Sequence, residues 1–200
     1  MDLPCEQQIA PNRAEVLSRV DRSAELYAEC LAEARRVRSE SGPTSLAAQL
    51  SNPVPVLQGR LPEDYARSAE RIAKVCGGAL PSFVGVGSLC TRPVLGSDGV
   101  LAVLTQLDKL LPEQTRLHLY GVKGDAIGEI ASFAMVASVD SMAWDFRARA
   151  AANERWAAMT DEQRAHTQRT KTRNPTAHRL EHMRRWYLRQ IQELQESVKC

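Results

Sequence analysis

Paired cysteines are missing from this chain. Its five thiols, Cys5, Cys30, Cys76, Cys90 and Cys200, are odd in number and widely scattered, and no Cys-x-x-Cys occurs. Neither a disulfide framework nor a zinc knuckle is supported, and reduced thiols are expected. Long apolar runs are missing too. No stretch reaches the roughly 18 apolar residues of a membrane-crossing helix, so no membrane partner is expected. The opening MDLPCEQQ has neither the basic nor the apolar region of a secretory leader, which makes a cytoplasmic chain the default reading.

A strong excess of one charge is also lacking, since the net charge is only +2. Its distribution is uneven, however. Residues 1–144 carry 14 Lys/Arg against 17 Asp/Glu, and residues 145–200 carry 12 against 7. The basic tail is either a phosphate-facing surface or, more ordinarily, a solvated helix face. With 44% hydrophobic and 25% charged residues in 200, the chain fits one globular domain.

The organisation can be read from periodicity. Asn12 followed by Glu15 has the form of a capping box, and Val16, Leu17, Val20, Ala24, Leu26, Tyr27, Cys30 and Leu31 continue at helical spacing. A polar connector from Ser39 to Pro53 follows. Strands are then predicted at 54–57, 82–86, 116–120 and 135–139. Helices are predicted from Pro62 to Val75, from a Ser97-Asp98 cap to Leu111, and near 125–133. Alternation of this kind argues for a parallel α/β sheet. Two architectures remain open, a doubly wound sheet and part of a (β/α)8 barrel. Both place ligands at the carboxyl ends of strands, where Gln58, Gly87-Ser88, Lys123 and Asp140 fall. About four strands cannot close a barrel that typically needs about 250 residues. After Trp144 the chain reads as helical.

Several motifs carry two readings. Gly85-Val86-Gly87-Ser88 lacks the third glycine and the prompt helix of a dinucleotide fingerprint. It is a tight turn, or a place where backbone amides approach a flat ligand. His178-Arg179-Leu180-Glu181-His182 has the letters of an inverted zinc peptidase motif, but a basic amphipathic helix explains them better. Trp186-Tyr187 fits core packing better than base stacking. Asp140 ends the apolar run Phe133–Val139 and either caps the next helix or does chemistry. Gln58 either satisfies loop backbone or binds a ligand.

Four segments together resemble the tRNA-guanine transglycosylase family, and more closely its DNA-modifying relatives, which place 7-deazaguanines in DNA. They are Val56-Leu57-Gln58-Gly59, Phe83 to Leu89 (FVGVGSL), His118 to Lys123 (HLYGVK) and Val139 to Trp144 (VDSMAW). The start, Met1 to Glu6, resembles a further family segment. The likeness covers roughly residues 1–150. It implies a partial (β/α)8 TIM barrel there, which leaves 151–200 as the basic helical extension read from charge and pattern. It also implies replacement of guanine in DNA, or in tRNA, by a 7-deazaguanine base. Carried over, Asp140 is the nucleophile at the sugar C1′, Asp2 and Gln58 read the base, and Gly87 and Ser88 offer backbone amides to its carbonyl. Lys123 joins the substrate-binding set.

The same comparison implies absences. No segment like the family's D-S-G-G-F, which carries its general base, occurs in the sequence. The first barrel strands are therefore expected to be truncated, lost, or supplied by a second copy or a partner subunit. After Asp140 only Cys200 remains of the thiols, so neither structural zinc nor any cofactor is expected. The alternative to an enzyme is an accessory subunit that binds nucleic acid or an intact transglycosylase.

Overall fold

The computed structural model describes residues 3–42, 44–49, 51–123, 126–141, 150, 154, 157–169 and 184. Two compact units divide the chain: Met1–Val122 with Glu129–Asp140, and Lys123–Gly128 with Ser141–Cys200. The first unit holds the sheet.

Helix α1 spans Arg13–Glu40. Asn12 caps it, its side-chain oxygen accepting from the Glu15 backbone N–H at 2.9 Å, while the Glu15 carboxylate bonds Arg19. Val16, Val20, Ala24, Tyr27 and Leu31 form its buried stripe. The helix runs past the last apolar position predicted for it. Arg36 pairs with both Glu33 and Glu40 there, and such pairs three and four residues apart support a solvated helix. A 3-10 turn at Leu46–Gln49 interrupts the connector.

Strand β1 (Val56–Leu57) leads to α2 (Pro62–Val75), which begins and ends where predicted. Proline suits a first helical turn, whose amide has no intrahelical partner. The fully buried Asp64 carboxylate accepts from the N–H groups of Arg60 (3.0 Å) and Leu61 (2.8 Å). Tyr65, Ser68, Ala69 and Ile72 are buried along α2. Strand β2 (Phe83–Val86) precedes α3 (Val100–Leu110). The expected Ser97-Asp98 cap is corrected here: Gly99 is the N-cap and no side chain caps the helix. The first amides of α3 are satisfied by the chain before it, Val100 donating to Pro93 and Leu101 to Val94. That removes the need for a side-chain oxygen.

Strand β3 (Arg116–Leu119), the short α4 (Ile127–Ile130) and β4 (Val136–Val139) follow. All pairings are parallel and the order is β1-β2-β3-β4. No reversal occurs, so this sheet has no switch point of the doubly wound kind. Right-handed crossovers in unreversed order keep the helices to one face. Leu57, Val84, Val86, Leu117 and Leu119, on one face, are completely buried. On the other face, Phe83 and Tyr120 are 40% and 38% exposed. Within the second unit, α5 spans Asp161–Arg169. Most of the remaining expected helical tail, including His178, His182, Trp186 and Tyr187, lies outside the described residues. No helix among them is long and apolar enough to cross a membrane.

Candidate active site

Register decides which residues meet. Leu57, Val86, Leu119 and Val139 are paired across the four strands. One residue further on lie Gln58, Gly87, Tyr120 and Asp140. The ladder continues into this row: Gly87 N–H donates to the Leu57 carbonyl (2.9 Å), Tyr120 to Val86 (2.9 Å) and Asp140 to Leu119 (3.0 Å). Side chains alternate along strands, so the row faces away from the apolar layer. It sits at the carboxyl ends of all four strands.

At the β1 and β2 end the row is tightly built. Gln58 is 1% exposed, and its Oε1 accepts from the Ser88 hydroxyl at 2.5 Å. The same hydroxyl oxygen accepts from the Cys5 backbone N–H at 2.8 Å. Ser88 holds φ = 57°, a left-handed conformation that side chains other than Asn, Asp or Gly seldom adopt. Its two hydrogen bonds account for that choice. The Gly87 carbonyl accepts from the buried Tyr65 hydroxyl at 2.9 Å, and burial pushes the Tyr65 phenol well above its ordinary range. Arg92, only 8% exposed, binds three carbonyls: Nε to Ser88 (2.8 Å), Nη1 to Asp98 (2.5 Å) and Nη2 to Gly59 (2.9 Å). The guanidinium thus ties the loop after β1 to the loop after β2, which its planar fork suits better than an ammonium would.

At the other end stands Asp140. The acid that closes an apolar run is not buried, its side chain being 54% exposed. Its Oδ1 accepts from the Gly121 N–H at 2.5 Å, an amide aimed by the left-handed turn at Gly121 (φ 73°). Its Oδ2 lies 3.8 Å from His118 Nε2. Asp140 owes its face to an irregularity. Leu117 pairs with Val136, but His118 pairs with Ser138, so Ala137 is an extra residue in β4. A regular strand would have put Ser138 and Asp140 on the apolar side. Bulges re-aim side chains in this way.

The other expected site residues fare differently. Asp2 lies outside the described residues. Lys123 is exposed and belongs to the second unit, where its carbonyl accepts from Ala126. The expectation for the Gly87 amide is corrected: it is engaged by Leu57 in the ladder. Glycine is required there because a Cβ would strike the Gln58 amide. Three residues of the site were missed by sequence reading, Tyr65, Arg92 and His118. Only His118 had a signal, since it lies two residues before Tyr120 and so on the same face in the strand predicted at 116–120. Among the described residues no group of three or more His, Cys, Asp or Glu is arranged to hold a metal.

A family model for DpdA, DeoxyPurine in DNA protein A, matches residues 35–163. The chain belongs to the DpdA family. This is the DNA-guanine transglycosylase-like family of 7-deazaguanine DNA modification, so the resemblance read from the four strand-end segments is borne out at family level. The DpdA match takes in all four strands, with Gln58, Gly87, Ser88, Lys123 and Asp140. Asp2 and the His178/His182 pair fall outside it. No curated protein matches the chain.

Proposed function

We propose that this DpdA-family chain exchanges guanine in DNA for a 7-deazaguanine base, with Asp140 as the nucleophile. The observation that carries the reading is the placing of Asp140: solvent-accessible at a strand end, one oxygen held by the Gly121 amide, in one register row with Gln58 and Gly87. Four consecutive parallel strands are the arrangement from which a (β/α)8 barrel is built, and the chain is read as part of one. Strand-end carboxylates on such barrels are where catalytic groups sit.

In the first step an Asp140 oxygen bonds to the sugar C1′ of a flipped-out deoxyguanosine as the bond from C1′ to N9 breaks. Guanine leaves and takes up a proton from water. In the second step the ring nitrogen of the incoming base gives up its proton to water and bonds to C1′, and the bond from C1′ to Asp140 breaks. The carboxylate is regenerated. A carboxylate suits a transition state with oxocarbenium character. Flipping supplies access to a C1′ that the duplex hides. Gln58 is proposed to read the base edge and the Ser88 backbone N–H to meet the base carbonyl, and the proposed steps invoke no cofactor. Asp2 and Lys123 are proposed as further substrate contacts, and the basic segment 145–200 as a phosphate-facing surface.

Guanine-containing duplex incubated with the wild type is expected to give a protein–DNA adduct stable to denaturation, and Asp140→Asn none. An Asp140→Asn protein that exchanges base at the wild-type rate would sink the assignment. A second reading is favoured by one observation, the lack of a D-S-G-G-F-like segment in the sequence. On it, the chain is an accessory subunit that completes a site with a partner transglycosylase or a second copy. Activity that appears only when a second protein is added supports this reading; turnover by the purified chain alone overturns it.

A further inference from the structure

We infer that His118 is a positioning residue for the Asp140 carboxylate, held in place by Ser138 and acting mainly when the glycosyl-enzyme bond breaks. The inference rests on Asp140 being the nucleophile. Three contacts converge on the ring. Nδ1 is 2.8 Å from the Ser138 hydroxyl oxygen. The Tyr120 ring meets it edge-on, with centroids 4.5 Å apart and planes at 72°. Nε2 faces Asp140 Oδ2 at 3.8 Å. Ser138 fixes the rotation of the ring and Tyr120 its plane, so the second nitrogen is left aimed at the carboxylate.

In the tautomer proposed, the Ser138 hydroxyl donates to Nδ1, so that the neutral ring carries its hydrogen on Nε2. That hydrogen points at the one Asp140 oxygen the Gly121 amide does not hold. At 3.8 Å it is not yet a hydrogen bond. Contacts of this kind often tighten only once substrate is bound.

The chemistry says when the contact matters. In the glycosyl-enzyme one Asp140 oxygen is bonded to C1′ and carries little charge. As the incoming base displaces it, the electron pair of the C1′–O bond returns to the carboxylate. A donor at Oδ2 stabilises that returning charge, and Gly121 N–H does the same at Oδ1. His118 gains and loses no proton in the step. Its absence therefore slows decay of the adduct more than its formation, whereas a merely structural defect would slow both or weaken DNA binding.

The test is single-turnover kinetics of adduct formation and decay on a guanine-containing duplex, with a 7-deazaguanine base added to start decay. For His118→Gln we expect decay to slow by about 10²-fold, adduct to accumulate, and the KM for DNA to stay unchanged. Ser138→Ala should shift the same ratio by less. Imidazole added to His118→Gly should restore decay; if that variant gives no cooperative melt, His118→Gln alone decides. Wild-type formation and decay rates in His118→Gln overturn this inference while leaving Asp140 as nucleophile. An adduct that survives in Asp140→Asn, or none in the wild type, overturns the parent reading instead.

Discussion

The Gln58 side-chain amide occupies the space where any residue but glycine at position 87 would place its Cβ. The two positions follow the ends of adjacent strands, one residue past the paired Leu57 and Val86. Gly87 is therefore part of how Gln58 is held, beside the Ser88 hydroxyl on its Oε1.

Gly87→Ala should overpack this point and cost about 1–3 kcal/mol, read from the urea midpoint. Gln58→Ala clears the same space. The double variant should lose less than the sum of the two single losses, because neighbours in contact are not additive. Additive losses would show that the amide and the glycine do not share this space.

Arg92→Lys should cost about 2–3 kcal/mol, since one ammonium cannot reach the Gly59, Ser88 and Asp98 carbonyls together and charged hydrogen bonds are lost. Amide hydrogen exchange at residues 58–60 and 87–92 should speed up more than in α1. Uniform acceleration would argue against a local tie.

Cys90 is exposed yet should resist alkylation at neutral pH. Partial burial, and then the hydrogen bond to Glu6 Oε1 (3.1 Å), push its thiol up to about 11. A raised thiol value means the folded state favours the protonated form. Its contribution to stability is complete below the ordinary value of 9.0 and is lost as pH rises toward 11. Iodoacetamide labelling followed by mass spectrometry should climb over that interval. Glu6→Gln should bring the climb to lower pH, since only the thiolate reacts.

Asp21 joins α1 to α2 through Arg67 (2.7 Å) and Arg71 (3.0 Å). The hydrogen bond from Arg67 is the main cause holding its carboxyl below the ordinary 3.8. A depressed value contributes stability above 3.8 that is lost as pH falls through the folded value. Urea midpoints measured at roughly pH 3 and pH 6 should therefore lie closer together in Asp21→Asn than in the wild type. Equal spacing would show that the pair contributes nothing.

The strand ends were legible in sequence because each strand closes on a polar or glycine residue, and α2 because Pro62 opens an apolar stripe that stops at Val75. The family was legible for the same reason, as its segments are those ends. Arg92 was not, because nothing local distinguishes an arginine that binds carbonyls from one in solvent. Nor was the start of α3, where backbone carbonyls of Pro93 and Val94 replace the expected side-chain cap. The exposure of Asp140 was hidden too. Its apolar approach, Met135 to Val139, forms a strand whose middle residues, Ala137 and Ser138, face solvent.

Ala137 gives β4 one residue more than its ladder uses. A chain with one residue fewer between Val136 and Val139 would run as a plain strand and present its aspartate on the same side. A chain with all the letters of this one but no bulge would turn the aspartate toward the apolar layer. Across relatives, then, a gap of one residue at this point changes nothing that matters, while an intact motif without the bulge is no evidence of a site.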